Sequence, residues 1–261
     1  VEVLIVTTPD AVADVAAGIV VDSLPTMRAA VLGLATGSSP LGLYRRLGDA
    51  GRDGRLRVAD LSGVALDEYV GLPAGHRESY RAVLEREVCD VVGLDRARLH
   101  VPDGSGADLE ALTAAAAAYE ALIESLGGVD VQILGIGANG HLGFNEPGSA
   151  LASRTRVKRL SDRTRADNAR FFASPEDVPT HCLTQGLGTI LRARSLVLVA
   201  TGTAKAVAVA AALEGPLTAS CPASVLQWHT DAVAVLDEEA GSQLRNRSYY
   251  DASAAGLRLP G

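Results

Sequence analysis

Lysine is nearly missing from this chain. Of its 24 basic residues only Lys158 and Lys205 are lysines, and the rest are arginines. A chain that so prefers Arg keeps a Lys by accident or where a compact, rotatable ammonium is needed. Aromatic residues are almost as scarce, at 4%, so with 48% hydrophobic residues the core must be aliphatic. The cysteines, Cys89, Cys182 and Cys221, are odd in number and widely spaced. That spacing excludes a disulfide framework and a zinc site, and points to free thiols in a reducing cytoplasm. No run approaches the roughly 18 apolar residues of a membrane span. No basic stretch is interleaved with aromatics, and the net charge is −7, which together exclude nucleic acid as a partner. No basic leader precedes "VEVLIV", so this run reads as a first strand and not a signal peptide. Neither a repeat nor a Pro/Gly/Ser-rich linker interrupts residues 1–261, which are expected to form one domain.

What is present is an alternation of apolar runs with helical patterns. Strands are expected at Val3–Thr7, Ala30–Leu34, Gly63–Leu66, Val129–Leu134, Leu196–Ala200 and Ala232–Leu236. Helices are expected at Ala11–Asp22, Leu41–Ala50, Tyr80–Val88, Leu109–Leu126, Arg163–Phe172, Leu187–Arg192 and Lys205–Leu213. The tail from Asn246 is only loosely patterned. Strands apolar on every residue are buried on both faces, which predicts an α/β fold. Its expected form is a doubly wound, mostly parallel sheet with helices on both sides. In such sheets ligands bind beyond the carboxyl ends of the strands. Four polar groups follow apolar runs directly: Thr36-Gly37-Ser38-Ser39, Asp67-Glu68-Tyr69, Asn139 to Glu146, and Thr201 to Lys205.

Each group has a chemistry. "LATGSSPLGLY" is strand, small-residue turn and helix start, so its N–H groups and hydroxyls form an anion site or an ordinary capped loop. It matches neither the Walker A nor the dinucleotide-binding pattern. Asp67 ends a buried strand, where desolvation raises a carboxyl pKa and suits it to take a proton from carbon. The plainer role is for Asp67 or Glu68 to cap the turn that follows. In "LGIGANGHLGFNEPG" the glycines let the backbone turn and let a ligand approach it. His141 can give and accept a proton near neutrality, Glu146 can contact and orient its imidazole, and Asn139 can add a hydrogen bond. No second His or Cys lies at metal-ligand spacing. Lys205 opens a helix beside further N–H donors, and Arg163 and Arg170 are seven residues apart on one helix face, so Arg170 can reach the same anion. A phosphate clamp, a carbon-acid base and a separate His/Glu proton shuttle suit a sugar phosphate whose ring opens before its C1–C2 unit isomerises.

Over Val3 to Glu239 the sequence resembles the glucosamine-6-phosphate deaminases. The segments that carry the resemblance are "LGLATGSSPLGLY", "LDEYVGL", "GIGANGHLGFNEPG", "SRTRVK", "NARFF", "TGTAKAVAV" and "LQWH", in that order. The resemblance implies conversion of glucosamine 6-phosphate to fructose 6-phosphate and ammonia without a cofactor. It implies that Asp67 moves the proton from C2 to C1 and that His141, with Glu146 and Asn139, opens the ring. Thr36 to Ser39, Arg170 and Lys205 would hold the phosphate. Some relatives have Asp where this chain has Asn139, and an amide cannot raise the His141 pKa as a carboxylate would. The resemblance further implies a homo-oligomer, a hexamer if allosteric. In that case N-acetylglucosamine 6-phosphate would bind between subunits through Ser149, Arg156 and Lys158. Ala150 and Arg159 depart from that pattern. Two alternatives share the fold: a 6-phosphogluconolactonase, which lacks the "FNEP" segment and needs no base at Asp67, and an inactive sugar-phosphate sensor.

Overall fold

In the computed structural model, which describes residues 1–256, the apolar runs become strands that are buried because helices cover both their faces. The strands are β1 (Glu2–Val6), β2 (Ala30–Leu34), β3 (Leu61–Ala65), β4 (Asp67–Tyr69) and β5 (Leu99–His100). They continue with β6 (Val131–Leu134), β7 (Arg156–Arg159), β8 (His181–Thr184), β9 (Ser195–Ala200) and β10 (Ala232–Asp237). Seven of them form a parallel sheet in the order β1-β10-β9-β6-β2-β3-β5. Strands β2, β3, β6, β9 and β10 are buried at every position, as expected for strands covered on both faces.

The order sets the position of the site. From β2 the chain runs outward through β3 to β5, then returns to the other side of β2 and runs outward again through β6, β9 and β10. Successive connections thus diverge between β2 and β6, and a crevice opens beyond their carboxyl ends. The helix Leu41–Arg52 starts there, directly after β2.

The helices follow their local signals. Thr8 caps Pro9–Ser23 by accepting from the Ala11 N–H at 3.1 Å, with Pro9 at the first helical position. Asp108 caps Leu109–Ser125 in the same way. The expected Tyr80–Val88 helix is an α-turn, Tyr80–Leu84, that runs into a π-helical turn, Glu85–Cys89. The loosely patterned tail forms the helix Arg247–Gly256, which packs on β1, and Leu257–Gly261 lie outside the described residues. Among the described residues no helix is long and apolar enough to cross a membrane.

A second sheet was not expected: β4, β8 and β7 form a three-stranded antiparallel unit. The run "LSGVALDEY" is therefore two strands of two sheets, divided at Leu66. The Leu66 N–H still donates to Leu34 of β2 at 3.0 Å, while its carbonyl already accepts from Gln185, beyond β8, at 2.7 Å. Asp67 is accordingly the first residue of β4, opposite Thr184, and not a loop residue after β3.

Glu120 joins the two layers. Although buried, it accepts from the Thr155 N–H at 2.8 Å, the Thr155 hydroxyl at 2.6 Å, and from Thr189 and Arg192, and it forms an ion pair with Arg154 at 3.0 Å. Burial pushes its pKa up, but the donors of Thr155, Thr189 and Arg192 outweigh this and hold it down to about 2. A depressed carboxyl pKa stabilises the fold above the unfolded-state value, and this contribution fades as pH falls through the folded-state value. From 4.5 to about 2, the difference corresponds to about 3 kcal/mol. Glu120→Gln should therefore lower the unfolding free energy in urea by about that amount at pH 7, and the gap to wild type should narrow between pH 4.5 and 2.

Candidate active site

The crevice holds a cavity of about 440 Å³. Its lining includes Thr36 to Ser39, Asp67, Gly137, His141, Arg170 and Lys205. Four separate strand ends thus converge, as the sequence predicts for this fold.

Asp67 and Glu68 are adjacent carboxylates with opposite duties. The Glu68 carboxylate accepts from the N–H groups of Tyr69 (2.8 Å), Tyr80 (2.8 Å) and Arg81 (2.9 Å), and so caps the helix Tyr80–Leu84. Asp67 keeps no such role. It is 5% exposed, and burial, with the Glu68 charge adding, pushes its pKa well up; only the Phe144 N–H pulls the other way. A carboxyl with raised proton affinity in a cavity is matched to taking a proton from a weak acid. Gly143, at φ +54°, leaves it room, because a Cβ there would lie 3.1 Å from Asp67 Oδ2 and 3.2 Å from the Thr184 hydroxyl.

His141 sits at the end of a tight turn after β6. The His141 carbonyl accepts from Gly137 at 3.0 Å, and the Gly137 carbonyl accepts from Gly140 at 2.9 Å. The imidazole lies directly on Gly137, where any Cβ would overlap the ring. The sequence reading let Glu146 contact this imidazole, and the structure places it at ion-pair distance with an amide bridging the two. Glu146 Oε2 is 4.0 Å from Nδ1, and Asn139 stands between them. Asn139 Oδ1 lies 2.7 Å from His141 Nδ1, and its Nδ2 donates to Glu146 Oε2 at 2.7 Å. This network sets the amide orientation. It leaves the Nδ1 proton on neutral His141 and makes Nε2 the nitrogen that can accept one. Burial lowers the His141 pKa, with Lys205 adding and Glu146 opposing. For Glu146 burial raises the pKa, but hydrogen bonds from Thr164, Asn139 and Ser161 and the His141 charge bring it below the ordinary carboxylate value.

Another wall of the cavity is the turn Thr36–Ser39, with Gly37 at φ +94°. No side chain caps the helix Leu41–Arg52 that follows, so its first N–H groups face the crevice without one. Lys205 lies on a turn after β9 and donates to the Ile136 carbonyl at 2.7 Å. Burial and the nearby Arg170 lower its pKa, while Asp167 opposes them. The Arg170 guanidinium lies 4.7 Å above the Phe171 ring, at the cavity wall. Among the described residues no group of three or more His, Cys, Asp or Glu is placed to hold a metal ion.

Three further predicted residues lie apart from this cavity. Arg156 and Lys158 are on β7, and Arg156 donates to Asn145 Oδ1 at 2.9 Å. Ser149 is buried, and its hydroxyl lacks a hydrogen-bond partner. The sequence reading missed Ser161 and Thr164, which bind Glu146, and Asn168, which donates to the Tyr69 hydroxyl at 2.9 Å. It also missed the aromatic wall. All three phenylalanines of the chain, Phe144, Phe171 and Phe172, line the cavity with Tyr69 and Tyr80, and their scarcity elsewhere was the available signal.

Comparison with known proteins shows related chains of the same fold. The model of the family described as glucosamine-6-phosphate isomerases/6-phosphogluconolactonase matches residues 7–235. A glucosamine-6-phosphate deaminase of Cutibacterium acnes is 52% identical over 249 residues, covering 95% of this chain and 94% of its own length. One from Rhodococcus jostii is 53% identical over 249 residues, covering 95% of each. Among solved structures, a monomeric glucosamine-6-phosphate deaminase superposes with a TM-score of 0.87 at 39% identity, over 93% of this chain and 100% of that one. A 6-phosphogluconolactonase from Trypanosoma brucei gives 0.75 at 20% identity, over 93% and 98% of the two chains, and shows a common fold.

The Asn139 bridge yields a direct test. Asn139→Asp places a carboxylate on Nδ1 in place of an amide oxygen, and a nearby negative charge favours the imidazolium. The His141 pKa, followed by NMR titration of the ring, should rise by about one unit or more.

Proposed function

This chain belongs to the glucosamine-6-phosphate isomerase/6-phosphogluconolactonase family, and we propose that within it the chain acts as a glucosamine-6-phosphate deaminase. The observation that carries this reading is the division of labour between Asp67 and Glu68. Glu68 is consumed by three N–H groups, and Asp67 is left buried and facing the cavity. A lactone hydrolase needs no carbon-acid base there. An isomerase that must remove a proton from C2 does.

The geometry supports the following steps. The phosphate binds at Thr36–Ser39 and the start of the helix Leu41–Arg52, with Lys205 and Arg170 supplying positive charge. His141 takes the proton of the anomeric hydroxyl on Nε2 and returns one to the ring oxygen as the C1–O5 bond breaks. The imidazolium formed in between is stabilised through Asn139 by the ionised Glu146. Asp67 then takes the C2 proton while a proton passes from the substrate's ammonium to O1, leaving an enolamine, and Asp67 gives its proton to C1. The resulting C2 iminium adds water and releases ammonia with fructose 6-phosphate. Each proton removed is returned, so no redox cofactor enters. Such a substrate and product fit a cytoplasmic enzyme.

The test is ammonia release from glucosamine 6-phosphate. Asp67→Asn should lower turnover by about 10²–10⁴-fold, the usual scale of general base catalysis. Exchange of the C2 hydrogen of bound substrate with solvent should disappear with it. Exchange persisting in the mutant at the wild-type rate would assign the base elsewhere.

We further propose regulation in an oligomer, with N-acetylglucosamine 6-phosphate bound by Ser149, Arg156 and Lys158. Support comes from the shared side of Arg156 and Lys158 on β7 and from the unpartnered buried hydroxyl of Ser149. A related solved structure is of a monomeric deaminase, so assembly must be measured with the response. The expected result is an oligomer by light scattering whose half-saturating substrate concentration falls with effector. Lys158→Ala should remove that response and keep the saturated rate. A monomer with hyperbolic kinetics indifferent to the effector would refute the proposal.

A further inference from the structure

Glu146 is held from two sides. Its Oε2 accepts from Asn139 at 2.7 Å, and its Oε1 accepts from the hydroxyls of Ser161, at 3.0 Å, and Thr164. Both hydroxyls belong to one short structure. Ser161 is the N-cap of the helix Asp162–Asn168, accepting from the Thr164 N–H at 3.1 Å. The Ser161 oxygen is thereby engaged as an acceptor, and its single proton faces two acceptors at 3.0 Å, Glu146 Oε1 and the Thr164 hydroxyl oxygen, which itself donates to Glu146. Thr164 and Glu146 are 5% and 8% exposed, so water supplies little substitute for a lost donor.

Those donors decide more than the position of Glu146. An amide can present either its oxygen or its NH2 to Nδ1. In this structure the NH2 of Asn139 is committed to Glu146, and its oxygen faces Nδ1 and also accepts from the His141 backbone N–H at 3.2 Å. If Glu146 were protonated or turned away, the amide could flip and donate to Nδ1. The imidazole proton would then move to Nε2, the nitrogen that has to accept a proton for ring opening. We propose that Thr164 and Ser161 are positioning residues that hold Glu146 ionised and oriented, and so fix the tautomer of His141 through Asn139. This rests on the deaminase reading of the site and adds two residues that act through Glu146.

Other charges also face the imidazole. Lys205 and Arg163 lower the His141 pKa, while Asp167 and Glu146 raise it. Replacing Thr164 removes none of these charges. It removes a donor that keeps the Glu146 pKa low, so the acidic limb of the rate profile should move to higher pH.

The experiment compares Thr164→Val, which keeps the shape and loses the hydroxyl, with Thr164→Ser, which restores the hydroxyl. Thr164→Val should reduce kcat on glucosamine 6-phosphate roughly tenfold, the scale of one lost hydrogen bond to a charged group. Its KM should stay near the wild-type value, and the acidic limb should shift upward. C2-hydrogen exchange on an open-chain analogue that cannot cyclise should persist at the wild-type rate. The 15N chemical shifts of His141 should report partial transfer of the proton from Nδ1 to Nε2, and Thr164→Ser should reverse every change. An unchanged 15N signature in Thr164→Val overturns the positioning role whatever the activity. Equal losses on cyclic and open-chain substrates, with a lowered melting temperature, overturn it in favour of a structural role. Absence of ammonia release from the wild-type protein overturns the deaminase reading, which the 15N measurement does not depend on.

Discussion

The reversal of the chain between β2 and β6 is the constraint on which the site depends. Crossover connections diverge on either side of it, so the covering helices part there and leave a crevice at the strand ends. Turns after β2, β6 and β9 then face one cavity without being neighbours in sequence. The handover at Leu66 adds the remaining component. By leaving one sheet and entering another within a residue, the chain delivers Asp67 into the cavity on a paired strand and not on a loop. Acid–base chemistry on a rigid strand keeps its geometry without substrate to organise it.

How much of this could be read beforehand follows from which contacts are local. The parallel strands were legible because burial on both faces writes an unbroken apolar run. The antiparallel sheet was not. Its β7, Arg-Val-Lys-Arg, is polar and short, and only pairing with the distant β8 makes it a strand. The cavity residues at strand ends were legible for the same topological reason. The choice between Asp67 and Glu68 was open, because it is settled by the N-terminus of a helix some twelve residues later. Asn139 was read as an accessory to a His–Glu contact. An amide that bridges two groups differs from one that stands beside them only in three-dimensional geometry.

Scarcity proved to be information. The core is mostly aliphatic, and five of the ten aromatic residues gather around the cavity. Tyr69 stands 5.7 Å from both Phe144 and Phe172, and Tyr80 stacks on Phe144 at 10°. Rings of this size exclude water from a carboxyl whose proton affinity depends on being dry. The lysine bias spoke in the same way for Lys205, which reaches the cavity from the turn after β9.

The helix Asp162–Asn168 has only seven residues, far fewer than an isolated helix needs to persist in water. Its ends are fastened instead by side-chain bonds, Thr164 and Ser161 to Glu146 at one and Asn168 to the Tyr69 hydroxyl at the other. Asp67, held on β4 by antiparallel pairing with β8 directly beyond the parallel sheet, has no such weakness. The two halves of the chemistry are thus mounted on supports of unequal strength. Warming, or a few molar of denaturant, would loosen the helix while the sheet stays intact. Such loosening would disturb the support of Glu146, and with it the His141 network, before it disturbs Asp67.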